Sequence, residues 1–257
     1  MLMSPKTSDP LLHSVTNYWN KRAASYSEAN QEELASIKRA VWQNLLLSHA
    51  PDNKPLKVLD IGTGPGFFAI IMAQSGHTVT AVDVTVSMLE QAKSNAEHYN
   101  VDINFIESDV HDLPFDEHSF DLVITRNVTW NLKKPDEAYQ EWYRVLKKGG
   151  RLINFDANWY LHLFDGTYKA GFEQDRKNTA LQGIADHYVN TDTVAMAEIA
   201  GELPLSRIQR PQWDATTLLN IGFTQCLIDL TIGERVWDLD EKINYGSTPM
   251  FMIVAKK

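Results

Sequence analysis

Three glycines at a regular spacing mark the first place in this sequence where a ligand could be held. Gly62, Gly64 and Gly66 lie in the segment VLDIGTGPG, directly after a run of apolar residues. At a turn from a strand into a helix, the missing side chains let a ligand lie against the backbone. The spacing is GxGxG, not the GxGxxG of dinucleotide sites, and no GK[ST] pair is present to hold a triphosphate. The turn therefore predicts a ligand site and disfavours NAD and ATP without excluding either.

Three carboxylates stand at the ends of successive predicted strands. Asp60 precedes the glycines and could offset the charge of an amino-acid group. Asp83 ends the second strand, where a carboxylate can accept hydrogen bonds from both hydroxyls of a ribose. Asp109 ends the third, where an acceptor would meet an adenine amino group. Asp83 or Asp109 alone could be a helix cap, but the three carboxylates together fit a cationic adenosyl ligand better than a pyrophosphate, which they would repel.

The elements that must position these residues alternate between strand and helix. Residues 14–50 carry apolar side chains at helical spacing and predict two helices with a break near 25–30. The segment 51–55, PDNKP, then interrupts the pattern. The alternation that follows predicts a mostly parallel sheet with helices on both faces. The predicted strands are 56–62, 78–84, 103–109, 120–126 and 151–157, and the predicted helices are 66–74, 87–100 and 135–146.

The last part of the chain departs from that alternation. Residues 157–210 show no clear strand but contain six aromatic residues, and we interpret them as a helical insertion over the carboxyl edge of the sheet. A helix is predicted from about residue 211 to Gly222, followed by strands at 223–232 and 248–257. Arg207 and Arg210, at the end of the insertion, could clamp an anionic substrate, although solvation at the surface is the better interpretation.

Composition narrows the classes of protein that this chain can belong to. A net charge of −9 argues against nucleic acid as a partner, which normally requires a basic face. Cys226 is the only cysteine, so an intramolecular disulfide and a thiolate cluster are excluded, and we expect a buried structural thiol. The histidines show no metal-ligand spacing. No apolar run reaches the length of a membrane span, and the opening segment 1–14 is interpreted as a frayed leader of a cytoplasmic protein.

Five segments carry a resemblance to a known family. They are VLDIGTGPG, VDVTVSML, ESDVHDLPF, FDLVITRN and LKKGGRLIN, and they extend over residues 56–157. In these segments the sequence resembles the class I S-adenosylmethionine-dependent methyltransferases, particularly the branch that includes quinone-biosynthesis methyltransferases. The resemblance implies a Rossmann-like, doubly wound, seven-stranded sheet whose last two strands form an antiparallel hairpin. It also implies a methyltransferase domain over 51–257, with a helical cap at 1–50 and the insertion at 157–210 providing substrate specificity.

The resemblance also implies roles for individual residues toward S-adenosylmethionine. The methionine part would lie at Gly62, Gly64 and Gly66, with the ribose at Asp83 and adenine N6 at Asp109. Adenine would pack against Val84 and Met88. The segment 18–26 looks like the aromatic helix that such enzymes fold over the cofactor, which implicates its two tyrosines. The predicted cofactor contacts are thus Tyr18, Tyr26, Asp60, Gly62, Gly64, Gly66, Asp83, Val84, Met88, Asp109, Val110 and Arg126.

The segment after the fourth strand departs from the family pattern. Many relatives carry a histidine- or leucine-rich segment there, whereas this chain reads TRNVTWNL over 125–132. We expect this polar set to face the methyl-transfer cleft, together with NFDANWYLH over 154–162. The candidate substrate contacts are Asn127, Trp130, Trp159 and Tyr160, and the candidate catalytic residues are Asp156, His162 and Arg126.

Each of these candidates also has a simpler structural interpretation. A base is needed only where the acceptor must lose a proton, and Asp156 and His162 are the candidates for that role. Asp156 could equally cap the next segment, and His162 could be a wall or surface residue. Arg126 could orient the substrate or simply pair with a carboxylate, and the aromatic residues could belong to the core.

The leading functional hypothesis is methyl transfer to O, N, S or C of a small molecule. Two alternatives stay open, namely a nicotinamide-dependent oxidoreductase and a cofactor-binding module without catalysis. The oligomeric state is open.

Overall fold

A seven-stranded sheet forms the centre of the molecule in this computed structural model, which describes residues 9–52, 55–188 and 191–257. The strands are β1 (Lys57–Ile61), β2 (Thr78–Asp83), β3 (Asn104–Glu107), β4 (Phe120–Arg126), β5 (Leu146–Asp156), β6 (Gln225–Asp229) and β7 (Phe251–Lys256). Their order is β3-β2-β1-β4-β5-β7-β6. Strands β1 to β5 are parallel, and β7 runs antiparallel to both β5 and β6. The predicted fold class is confirmed.

Helices cover both faces of the sheet because successive strand residues point to opposite sides. On one face, Val58 and Ile124 pack with the helices α2 (Lys38–His49) and α3 (Phe67–Gln74). On the other face, Leu59 and Val123 pack with the helices α5 (Pro135–Val145) and α8 (Gln212–Ile221). Helix α4 (Val86–His98) connects β2 to β3. The strand order reverses between β1 and β4, so the carboxyl ends of these strands frame the crevice where ligands of such sheets bind.

The N-terminal region differs from the prediction. Helix α1 runs without interruption from Pro10 to Ala35, so the break expected near 25–30 is wrong. Ser27 and Asn30 are buried there, and Asn95 of α4 donates a hydrogen bond to Ser27 Oγ at 3.0 Å. Packing against α4 thus keeps a weakly helix-forming segment helical. Helix α1 also takes in residues 10–14 of the predicted leader, whose residues 1–8 lie outside the described residues, as do 53 and 54 of the 51–55 segment.

The region between β5 and α8 is helical in its described part. It contains α6 (Gly166–Gln182), α7 (Thr193–Glu202) and short 3₁₀ turns at Leu161–Leu163 and Pro204–Arg207, while residues 189 and 190 are not described. Helix α7 packs on α1 and on Trp130, which follows the carboxyl end of β4. Helix α7 therefore lies beside the segment that follows β4.

The end of the chain contains more helix than the sequence indicated. Strands β6 and β7 pair as expected, but α9 (Ile232–Val236) and α10 (Leu239–Asn244) lie between them along the chain. Cys226 is half-buried in β6, less than the full burial that we expected. Within the described residues, no helix is long and apolar enough to cross a membrane.

Candidate active site

A cavity of about 340 Å³ lies between α1 and the carboxyl ends of β1, β2 and β4. Its size is within the range of small-molecule sites. Gly62, Gly64, Asp60, Asp83 and Asp109 all line it, so the fold brings together the glycine turn and the three predicted carboxylates. Val84, Met88, Val110, Tyr26, Arg126 and Asn127 line it as well.

Gly62 and Gly64 both have a positive φ angle, a backbone conformation that favours glycine. Gly62 has φ +60°, and a Cβ atom at this position would overlap the Cγ2 methyl of Val128. Gly64 has φ +53°, and the ring of Tyr26 would lie 3.6 Å from its Cβ. Gly66 does not line the cavity. Gly66 precedes α3 as its N-cap, with φ +90°. A Cβ atom there would lie 3.3 Å from the Cβ of Ala92, so this glycine lets α3 and α4 pack closely.

Asp60 is buried beneath the glycine turn. Its Oδ2 accepts hydrogen bonds from Thr63 Oγ1 at 2.6 Å and from the Ala69 backbone N–H at 3.0 Å. Burial raises the pKa of Asp60 to about 7, although the two hydrogen bonds act to lower this pKa. A cationic ligand beside this carboxyl group would favour its ionised form.

Asp83 stabilises the same turn from the end of β2. Its Oδ2 accepts from the Gly64 backbone N–H at 2.9 Å, and its Oδ1 accepts from the Thr85 backbone N–H at 2.8 Å. Burial raises the pKa of Asp83, although these backbone bonds oppose the effect. The Asp83 carboxyl group lines the cavity and can also accept hydrogen bonds from a ligand there.

Asp109 forms a pair with a histidine that the sequence did not single out. The Nδ1 atom of His111 lies 2.6 Å from Asp109 Oδ1, and the His111 backbone N–H donates to the same oxygen at 3.0 Å. Partial burial raises the pKa of Asp109, but the bonds to His111 outweigh it and leave the pKa below its usual value. The other oxygen, Oδ2, is left for a ligand amino group, and His111 Nε2 is buried at the cavity wall without a hydrogen-bond partner.

Arg126 ends β4 as half of an ion pair. Its Nη1 lies 3.0 Å from Glu33 Oε2 of α1, and its guanidinium lies over the ring of Phe67 at 4.1 Å. Burial lowers the pKa of Arg126, but Glu33 outweighs it and the pKa is raised. The side chain lines the cavity while it ties α1 to the sheet, so the interpretation as a partner for a carboxylate is confirmed.

Known proteins share both the sequence pattern and the fold. A family model described as a methyltransferase domain matches residues 59–154. A ubiquinone/menaquinone biosynthesis C-methyltransferase, UbiE, from Haemophilus ducreyi is 32% identical over 145 residues, which cover 54% of this chain and 55% of that protein. A demethylmenaquinone methyltransferase from Thermus thermophilus is 32% identical, over 44% of this chain and 52% of that protein. The matches thus span about half the length of these curated relatives.

Solved structures share the fold over a longer stretch. A Methanococcus maripaludis protein described as an S-adenosyl-L-methionine-dependent methyltransferase has a TM-score of 0.60 at 22% identity, covering all of this chain and 97% of that one. A Haemonchus contortus phosphoethanolamine N-methyltransferase in complex with S-adenosyl-L-methionine has a TM-score of 0.57 at 17% identity, covering 84% and 52% of the two chains. The chain is thus similar to methyltransferase domains over residues 59–154 and has the fold of these S-adenosylmethionine-dependent methyltransferases. Over about half of its length its sequence resembles the quinone-biosynthesis enzymes.

The cavity fits the cofactor of this methyltransferase family. Gly62 and Gly64 present backbone without a side chain to the cavity, and Asp60 and Asp83 place two carboxyl groups beside the turn. Val84, Met88 and Val110 provide the apolar wall that an adenine ring requires. Of the two predicted tyrosines only Tyr26 reaches the cavity. Tyr18 packs instead among the hydrophobic residues around Trp130, and Trp19 lines the cavity in its place.

The structure does not support Asp156 as a general base. Its side chain has no exposure and does not line the cavity. Its Oδ2 accepts from Arg210 Nη1 at 2.6 Å and from the Trp130 backbone N–H at 2.9 Å, and its Oδ1 accepts from the Ala157 backbone N–H. The carboxylate is therefore fixed by other groups and has no route to a ligand.

His162 is also outside the cavity. Its ring stacks on Phe172 at 4.2 Å, and its Nδ1 lies 3.2 Å from the Trp159 carbonyl oxygen. Burial among these aromatic rings lowers the pKa of His162. The half-buried ring packs outside the cavity, a position that does not fit a catalytic role.

The four predicted substrate contacts fall into two groups. Asn127 lines the cavity with φ +60°, and its Oδ1 accepts from Trp159 Nε1 at 3.2 Å. Trp130 stacks on Tyr160 with ring centroids 5.0 Å apart, and neither they nor Trp159 line the cavity. These three aromatic side chains therefore lie outside the cavity, and Trp159 holds Asn127 at the cavity wall through its hydrogen bond.

Sequence reasoning missed several residues of the site. Glu33 and Phe67 hold Arg126, and His111 pairs with Asp109. The His111 pairing could have been found from its spacing two residues after Asp109, which allows a local turn. Arg210, predicted to lie at the surface, is fully buried between Asp156 and Asp214, whereas Arg207 is exposed as expected. No group of three or more His, Cys, Asp or Glu suited to a metal ion occurs in the described part of the chain.

Proposed function

We propose that this protein transfers the methyl group of S-adenosylmethionine to a small-molecule acceptor. The observation that carries the proposal is the glycine turn itself. Gly62 and Gly64 line the cavity without a side chain, and the buried carboxyl groups of Asp60 and Asp83 line it beside them. A cationic amino acid joined to an adenosyl group matches this combination of accessible backbone and carboxyl groups.

The cofactor supplies an electrophilic methyl group on a sulfonium, and its transfer is an in-line displacement. The residues of the chain then need to align the acceptor and exclude water rather than supply a covalent group. Asp83 would hold the ribose, and Asp109, oriented by His111, would accept from the adenine amino group. Tyr26 and Trp19 of α1 would close the site above the glycine turn.

The proposal does not specify whether the methyl group goes to O, N, S or C of the acceptor. The curated relatives are named as C-methyltransferases, while the structural neighbours include an N-methyltransferase and a [4+2]-cyclase, SpnF, at 16% identity and a TM-score of 0.56. Because that fold also carries a reaction other than methyl transfer, cofactor binding and turnover require separate tests.

Calorimetric titration with S-adenosylmethionine, S-adenosylhomocysteine and NADH tests the cofactor. We expect binding of both adenosyl ligands, no binding of NADH, and a loss of at least tenfold in affinity for Asp83→Asn. Turnover is tested by mass spectrometry with the methyl group of the cofactor deuterated and a metabolite extract as the acceptor source. NADH binding alone would overturn the cofactor assignment, and adenosyl binding without any labelled product would favour the non-catalytic module.

A further inference from the structure

The two edges of the sheet differ in the side chains that they expose. At one edge, β3 begins and ends with the exposed polar residues Asn104 and Glu107. At the other edge, β6 has β7 as its one neighbouring strand among the described residues. An edge strand leaves a row of backbone N–H and C=O groups unpaired, and proteins usually protect it with charged residues, proline or a bulge. The β3 edge has polar ends of this kind, whereas the middle of β6 does not.

The middle of β6 is apolar on both faces of the sheet. Leu227 is 48% exposed and Ile228 is 38% exposed, and they point to opposite faces because they are neighbours in a strand. Leu230, directly after the strand, and Leu219 of α8, a helix that contacts β6, are also exposed. The strand contains neither lysine nor proline, and its only charged residue is Asp229. Exposed apolar side chains beside an unpaired strand edge are typical of a protein interface.

We infer that β6 pairs with the β6 strand of a second copy of this chain, antiparallel to it and about a two-fold axis at Leu227. A two-fold axis perpendicular to a sheet makes a strand its own antiparallel partner, so one residue must lie opposite itself. Of the possible registers, only the one centred on Leu227 pairs all five residues of Gln225–Asp229. The two sheets then form one continuous sheet across the axis.

The polar groups at this edge favour a second copy in that register. Asp229 of one copy lies opposite Gln225 of the other, whose amide can donate a hydrogen bond to the carboxylate. Lys256 of β7 is paired with Gln225 and adds a cation on the same face. A shift of two residues in either direction sets Asp229 opposite Leu227 or Phe223, neither of which offers its side chain a hydrogen bond.

The inferred dimer is small and leaves the cavity open. Strands β7 and β5 separate β6 from β4, and the cavity lies at the carboxyl ends of β1, β2 and β4. One short strand and a few apolar side chains make a small interface, and interfaces below about 1,200 Å² are typical of weak complexes. We therefore expect a dimer that forms at micromolar concentration.

Sedimentation velocity between about 1 and 100 µM tests for this dimer. About 0.15 M salt screens the net charge of −9 on each copy. We expect the sedimentation coefficient to rise with concentration from the monomer value toward the dimer value. Ile228→Lys places a charge in the middle of the edge and should stay monomeric, with the far-UV circular dichroism of the wild type. Ile37→Lys is the matched control, because Ile37 is 82% exposed between α1 and α2, and it should dimerise like the wild type.

Crosslinking through a single cysteine tests the register separately. Two variants start from Cys226→Ser, which removes the only native cysteine. Leu227→Cys should be joined to its copy by a short bismaleimide, because the Cβ atoms of directly opposite residues lie about 4.5–5.5 Å apart. Leu230→Cys is three residues from the axis, so the two thiols are about 20 Å apart and should not be joined.

Three results would each overturn the inference. They are a monomer at about 100 µM, a dimer that persists in Ile228→Lys, and crosslinking of Leu230→Cys that equals that of Leu227→Cys. A monomeric wild type would leave the β6 edge for a strand of a different protein.

Discussion

Arg210 Nη1 lies 2.6 Å from Asp156 Oδ2, and neither side chain has any exposure to solvent. The guanidinium also contacts Asp214 at 2.6 Å, and Tyr139 donates to Asp214 Oδ1 at 2.6 Å. Because Asp156 accepts the Trp130 backbone N–H, this buried group connects the end of the insertion to the turn after β4. Arg210, which we expected at the surface, thus helps to hold the turn after β4 in place.

Arg210→Met should destabilise the protein by about 3–5 kcal/mol, because it leaves two buried carboxylates without their cation. Urea denaturation measures the free energy of unfolding. Arg207→Met is the matched control, since Arg207 is exposed, donates to the Gly201 carbonyl oxygen at 2.8 Å and lies over the ring of Phe164 without a carboxylate partner among the described residues. Similar losses in the two variants would contradict the role assigned to Arg210.

The different outcomes for Arg210 and Asp83 show what a single sequence can reveal. Asp83 is a local feature, since it follows a strand at a fixed distance from a glycine turn, and its position at the cavity was predictable. Asp214 lies only four residues after Arg210, but Asp156 lies on β5, and no pattern in the residues around Arg210 indicates that second partner. The continuity of α1 through residues 25–30 likewise depends on packing against α4. Contacts between segments that are far apart in the chain could not be predicted from the sequence.

Gly62→Ala should weaken binding of S-adenosylhomocysteine by at least tenfold. The added Cβ would overlap Val128 and force the glycine turn or Val128 to move, and φ +60° is unfavourable for alanine. Gly149→Ala provides the control, because Gly149 has φ +80° but no atom within 4 Å of the added Cβ. That variant should lose about 1 kcal/mol of stability and keep its affinity.

The double variant Gly62→Ala/Val128→Ala distinguishes overlap from backbone strain. Removal of the Val128 methyl groups should restore part of the affinity for S-adenosylhomocysteine. If the double variant binds no better than Gly62→Ala, the overlap is not the cause of the loss.

The affinity for S-adenosylmethionine should rise with pH between about 5 and 7. The pKa of Asp60 is about 7 in the free protein, and the cationic ligand favours the ionised form, so binding below pH 7 releases a proton. Calorimetry in buffers of different ionisation enthalpy measures that release. Asp60→Asn should bind more weakly at pH 8 and show a flatter profile, whereas an unchanged profile would exclude Asp60 as its origin.

The same pKa has the opposite consequence for the free protein. The pKa of Asp60 is raised from 3.8 to about 7 on folding, so the folded state binds the proton more tightly than the unfolded state. The contribution of Asp60 to stability is therefore fully present below about pH 4 and is lost as the pH rises through 7. The difference in unfolding free energy between wild type and Asp60→Asn, measured by urea denaturation from pH 4 to 8, should follow this curve.

Glu33→Gln should lower both the stability and the cofactor affinity of the protein. Glu33 holds Arg126 over Phe67 and accepts a hydrogen bond from Trp42 Nε1 at 2.6 Å, so it fixes α1 against the sheet. Glutamine keeps the size and the bond from Trp42 but leaves Arg126 without a counter-charge, which we expect to cost about 2 kcal/mol. Glu32→Gln, at the exposed neighbouring position, should change the unfolding free energy by less than about 0.5 kcal/mol. If Glu33→Gln unfolds like wild type and binds S-adenosylhomocysteine equally well, the ion pair does not position α1 over the cavity.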